Sequence, residues 1–310
     1  MKLAKILFYL IFLNLININS YSNEKIEIKF KVGDQIITNI DIINEKKYLI
    51  FLRPELKNLS EVDIIKLSEN SIIREVIKKK ELKKIFKKYN NEKLLNDIKN
   101  NLIRFKKVKN EDELKLLIES NNINYSNIIE KMKYENLWNE LIFKNFSPLI
   151  KINKKKLREE LVIKMSKNKK KEYNLSEILF EIDSSNQMKN KYDEISKLIK
   201  TKDFETAAYK YSISNSSTNG GQIGWVKETL LSKKLNKILG KMQIGSLSKP
   251  LKYPNGYLII KINNIREIKK ETDIDNELKE LINFESNKQL NQFSLLFYKK
   301  LKQNSKINEY

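Results

Sequence analysis

Apolar residues recur along most of this chain at the three- and four-residue spacing of helix faces, a pattern that predicts a chain mainly of amphipathic helices. The exceptions are few. Ile26–Val32 alternates as a strand, Gly33 and Asp34 supply a turn, and Gln35–Thr38 continues as a second strand. Thr38 followed by Asp41 reads as a capping box opening a helix that must stop before Pro54. Ser60 and Asp63 open a longer helix, with Ile72, Ile73, Val76, Ile77, Leu82, Ile85, Phe86 and Tyr89 at helical spacing. Further stripes are Leu95, Ile98, Leu102 and Phe105; Leu114, Leu117 and Ile118; and Tyr134, Leu137, Trp138, Leu141 and Ile142, ended by Pro148. Asn153 caps a short helix through Leu157, Leu161 and Met165. These faces imply one shared helical core, and any part left exposed is a candidate groove for partner chains.

The pattern changes after a basic linker, Lys167–Lys171, which marks a domain boundary. Tyr173–Ile182 reads as a strand, followed by helices at Met188–Lys200 and Asp203–Tyr211. A Ser/Asn/Gly loop then leads to a short strand at Ile223–Val226, a helix near Leu231–Leu239, and a hairpin of Leu247–Lys252 with Tyr257–Ile265 around Pro254, Asn255 and Gly256. Six of the seven glycines fall between Gly220 and Gly256, so this β-α-α-α-β-β unit holds nearly all the tight turns. From Thr272 one long helix carries Phe293, Leu296, Phe297 and Leu301 on a face and is expected to dock on the N-terminal helices; Ile307 is expected to pair with the Ile26–Val32 strand. The fold class is α+β, with segments 1–22, 23–171, 172–267 and 268–310.

Composition narrows the function. Lys2 and Lys5, the apolar run Ile6–Leu13 with Leu15–Ile16, and the small residues Ser20 and Ser22 form a secretory-signal pattern cut near Ser22, which places the mature chain in the periplasm without membrane insertion. The apolar run is too short for a membrane span. The chain has no histidine and no cysteine, which removes Ser–His catalysis and the usual zinc ligands, so no metal is expected. The net charge of +22 accompanies many Ile and Asn residues, and the basic side chains are spread over solvated faces without a nucleic-acid motif; nucleic acid is not an expected partner.

One run of blocks resembles the parvulin-type (PpiC-type) peptidyl-prolyl isomerase domain. It comprises Ser176-Glu-Ile-Leu179, Phe204-Glu-Thr-Ala-Ala208, Tyr211-Ser212, Gly220-Gly-Gln-Ile-Gly-Trp225, Gly245 through Leu251, and Gly256-Tyr-Leu-Ile-Ile-Lys261. With the strand–turn–strand start at Gly33 and the flanking helices, the chain resembles SurA-like periplasmic chaperones with a single parvulin domain. The resemblance implies rotation about Xaa-Pro bonds, which needs no cofactor, and partners that are unfolded polypeptides, outer-membrane proteins foremost. It places substrate-binding positions at Ile223, Leu231, Leu235, Tyr253 and Asn255. The family's catalytic positions fall on Glu177, Ser214 and Leu258, where the usual histidines are missing. Glu and Leu cannot rebuild an imidazole pair, so isomerase activity is expected to be weak or lost.

Overall fold

The computed structural model describes residues 25–86, 91–165, 170–182, 187–254, 256–268 and 273–310. The signal-like segment 1–22, residues 167–169 of the basic linker and Asn255 lie outside the described residues.

Both ends of the described chain meet in one small sheet. Strands β1 (Ile28–Val32), β2 (Gln35–Thr38) and β7 (Ile307–Glu309) pair antiparallel in the order β2-β1-β7, with Ile307 opposite Val32. Thr38 and Asp41 form the capping box of α1 (Asn39–Leu52), which stops ahead of Pro54. Ser60 accepts from the amide of Asp63 and starts α2 (Glu61–Ile85). Helices α3 (Glu92–Lys106), α4 (Glu111–Ser120), α5 (Tyr125–Phe146) and α6 (Lys154–Met165) complete the helical frame. Its core uses the sequence stripes: Ile98, Leu102, Leu114 and Ile118 in one cluster, and Leu82, Leu137, Trp138 and Leu141 in another. Phe105 departs from its stripe and is exposed in the last turn of α3, just before the left-handed cap at Lys107.

The second body is a four-stranded antiparallel sheet ordered β4-β3-β6-β5, built from β3 (Lys170–Phe180), β4 (Gln222–Lys227), β5 (Leu251–Tyr253) and β6 (Gly256–Ile268). Helices α7 (Met188–Thr201) and α8 (Phe204–Tyr211) follow β3, and α9 (Lys233–Leu239) follows β4. The order is therefore β-α-α-β-α-β-β, with β4 between the second and third helices. Lys170 and Lys171 already pair with β6, so the linker is shorter than its basic run.

The terminal helix α10 (Ile274–Gln303) docks on the frame: Phe297 stacks on Trp138 at 5.5 Å and Phe293 on Phe146 at 5.1 Å. Leu296 does not join them and is 51% exposed. A helix at 100° per residue turns it away from the Phe293–Phe297 face. The opposite stripe of α10 faces the second body, where Phe284 and Leu295 pack on its sheet cluster.

Candidate functional site

Alternation along β3 separates two sheet faces. Ile178 and Phe180 pack with Ile195, Phe204, Ala207 and Ala208 of α7 and α8. Tyr173, Leu175 and Leu179 face the other way, into a cluster with Leu231, Leu239, Leu258 and Ile260. Glu177 shares the parity of this second group; it pairs with Ile260 of β6, and Leu179 pairs with Leu258.

The loop after α8 is sewn to β3 over Glu177. Ile213 donates its amide to Leu179 O at 2.7 Å, the Ser212 hydroxyl accepts from the Leu179 amide at 3.1 Å, and the Glu177 amide donates to Gly221 O at 2.7 Å. Ser214 Oγ donates to Glu177 Oε1 at 2.6 Å, and Ser216 Oγ donates to the same oxygen at 2.9 Å. Gly221 makes this approach possible: its φ is +77°, and a Cβ there would lie 2.3 Å from Glu177 O. Two of the sequence-derived catalytic positions thus come together in one hydrogen-bonded group, with Ser216 as a third member. The third position, Leu258, is buried in the apolar cluster and supplies neither donor nor acceptor. A carboxyl held by two hydroxyls is a rigid tie rather than a donor–acceptor pair.

The apolar positions divide. Leu231 is 4% exposed in the same cluster as Leu258, and Leu235 and Tyr253 pack half-buried against it. Ile223 stands apart, 41% exposed, where the β3–β4 register shifts between Leu175 and Ser176. Lys164 of α6 fixes the segment before α9 by donating to Thr229 O at 2.9 Å and Leu231 O at 2.8 Å. Of the described positions that the resemblance gives to the proline cup, Leu231 is buried, Leu235 and Tyr253 are half-buried beside it, and Ile223 is on the surface.

A cavity of about 1530 Å³ lies between the frame and the second body. Tyr48, Arg53 and Trp138 contribute from the frame, Tyr211 from the end of α8, Ile213 from the loop beside Glu177, and Leu295 from α10. Exposed Phe143 and Leu296 also line it. In its frame wall Lys131 bridges Glu45 and Glu75. Burial pushes the Glu45 carboxyl up, against the pull of Lys131. At Glu75 burial acts the same way but is outweighed by Lys131 and Lys79, which hold that carboxyl down. Sequence periodicity alone did not reveal this cavity, since its walls come from separate helices and carry charges at positions that read as solvated. Among the described residues no group of three or more acidic, His or Cys side chains is placed to hold a metal. No described helix is long and apolar enough to cross a membrane.

The sheet, its crossing helices and the loop over Glu177 define a parvulin-type domain set beside a helical frame. Residues 174–264 match the rotamase family, described as the PPIC-type PPIASE domain. The chain is 28% identical over 302 residues to Periplasmic chaperone PpiD of Buchnera aphidicola, covering 92% of this chain and 45% of that protein. It is 23% identical over 163 residues to Chaperone SurA of Pseudomonas putida, covering 50% of this chain and 38% of SurA. A third relative, Foldase protein PrsA of a Geobacillus species, is 38% identical over 90 residues, 29% of this chain and 31% of PrsA. The chain spans less than half the length of these three relatives. It is a SurA-like chain with a PPIC-type domain.

Proposed function

We propose that this chain is a periplasmic folding factor that holds segments of unfolded polypeptides, outer-membrane proteins among them, in the cavity between frame and PPIC-type domain. The observation that carries this reading is the pair Phe143 and Leu296, both more than half exposed and both on the cavity wall. Large apolar side chains held open to solvent in a concave site fit an apolar stretch of a client chain. The names of the three relatives support folding assistance, and the export pattern with the periplasmic relative supports the compartment. With Glu177 tied to two hydroxyls and Leu258 buried in the apolar cluster, the PPIC-type domain acts as a wall and a scaffold.

Light scattering from a diluted, urea-unfolded outer-membrane barrel protein tests the reading. Excess wild-type chain should suppress aggregation, and Phe143→Ser with Leu296→Ser should lose most of that suppression while keeping the wild-type Tm. Unchanged suppression by the double variant would remove the cavity from the mechanism.

A further inference from the structure

The interface between frame and PPIC-type domain has two unlike sides. Where α6 ends and α10 begins, Leu161, Met165 and Leu281 form an apolar cluster with Leu157, Leu230 and Leu278 around it. There Lys227 donates to Glu277 at 2.6 Å and to Glu280 at 2.7 Å, and Thr229 donates to Glu277 at 2.8 Å. Glu277 is 1% exposed. The far side is mostly polar. Arg53 Nε donates to Thr218 O, Tyr209 donates to Glu55 at 2.8 Å, Lys210 pairs with Asp63 at 2.6 Å, Asn215 donates to Asn291 at 3.2 Å, and Lys299 pairs with Glu181 at 2.9 Å. Its apolar parts are the Tyr209 ring against Leu56 and Ile64 and, on α10 between Asn291 and Lys299, Leu295 against the sheet cluster. Partly exposed ion pairs are weak and screened by salt, whereas an apolar cluster around a buried pair is not.

Two of the far-side contacts, at Asn215 and Thr218, belong to the loop that Ser214 and Ser216 tie to Glu177. We infer that the site that carries catalysis in the parvulin family serves here as a latch: Glu177 positions the 214–218 loop so that Arg53 and Asn291 can grip it, closing the domain over the cavity about the α6–α10 side. Glu177 is a positioning residue in this scheme, and its hydroxyl partners replace chemistry with shape. The latch rests on the cavity being the client site, and it sets when that cavity is open. Short side chains suffice for the tie because Gly221 brings the loop's far end against the Glu177 carbonyl.

The chain has no cysteine, so paired labels attach only where introduced. Nitroxides at Lys66→Cys on α2 and Lys197→Cys on α7, both exposed, report the frame-to-domain distance by pulsed electron resonance. Wild type should give one narrow distribution. Arg53→Ala and Glu177→Ala should each raise a longer-distance population roughly fivefold, as expected for removing one contact from a two-state equilibrium. The two together should add little, and 1 M salt should act in the same direction. Glu177→Gln, which keeps an oxygen acceptor for both hydroxyls, should restore the narrow distribution. If Glu177→Ala fails to fold, Ser214→Ala with Ser216→Ala takes its place. A narrow distribution in folded Glu177→Ala or in the double serine variant overturns the latch, as does a fully additive effect with Arg53→Ala. The two readings fail separately: unchanged suppression of aggregation by Phe143→Ser with Leu296→Ser removes the cavity, while the label distances decide the latch on their own.

Discussion

The indole Nε1–H of Trp138 donates to Oγ of Ser294 at 2.9 Å, joining α5 to α10 across 156 residues of sequence. Both residues are buried, and Phe297 stacks on the same indole. The terminal helix is thus part of the core of the frame, although the whole PPIC-type domain is inserted between them. A chain folded in this way cannot complete its first body until its last helix has been made.

That arrangement predicts a graded loss of stability in urea. Ser294→Ala leaves the indole donor buried without its partner and should cost about 1–3 kcal/mol. Phe297→Ala should cost about 3–5 kcal/mol, since it empties a ring-sized space beside Trp138. Both variants should lower the unfolding midpoint, Phe297→Ala the more. A midpoint unchanged by either would show that α10 does not belong to the frame's cooperative unit.

Much of this architecture was legible in the sequence because it rests on local chemistry. Thr38 with Asp41 and Ser60 with Asp63 are caps whose partners lie three residues away. The Glu177–Ser214 meeting was also readable, through motif blocks in family order. What stayed hidden belongs to surfaces shared by two bodies. On α10, Glu277, Phe284, Asn291, Leu295 and Lys299 form a second stripe toward the PPIC-type domain, but three of the five are polar, and a helix with two opposed partners shows no single apolar face. Ile223, which the resemblance gives as a substrate-binding position, lies at a register shift between β3 and β4 that motif blocks do not show.

The cavity wall offers a test by pH. Lys131 holds two carboxyls of opposite shift: Glu45 raised by burial, Glu75 lowered because Lys131 and Lys79 outweigh its burial. A raised carboxyl gives stability that is present below its ordinary value and lost as pH climbs through its folded value. A lowered one gives stability present above its ordinary value and lost as pH falls. In wild type the two act on opposite sides of the ordinary carboxyl value of 4.5: Glu45 lowers stability as pH climbs above it, and Glu75 lowers stability as pH falls below it. Lys131→Met removes the cation and should push both carboxyls up, costing about 3–5 kcal/mol at neutral pH. Protonation then relieves the strain, so the Tm gap between wild type and variant should narrow from pH 7 to pH 5. A gap that stays constant or widens would mean that Lys131 does not hold these carboxyls ionised.

The last prediction concerns isomerisation itself. Rotation about an Xaa-Pro bond faces a barrier of about 18–20 kcal/mol, and catalysis requires a site that favours the twisted amide over the planar one. In this domain, Glu177 is already engaged by Ser214 and Ser216, and Leu258 contributes only bulk to a closed cluster. With no histidine in the chain, no imidazole can change charge between pH 5 and 8. Peptide isomerisation by the folded protein should therefore match buffer. Any residual rate should show no imidazole-type inflection across that range, should fall in Leu231→Ala or Leu235→Ala, and should survive Ser214→Ala. A rate well above buffer that is abolished by Ser214→Ala would mean that the Glu177 group still performs the family's reaction. Glu177→His alone should not restore activity, because the second imidazole position is the buried Leu258. A histidine placed there would have to sit in the apolar cluster with Leu179 and Ile260, where burial disfavours its charged form.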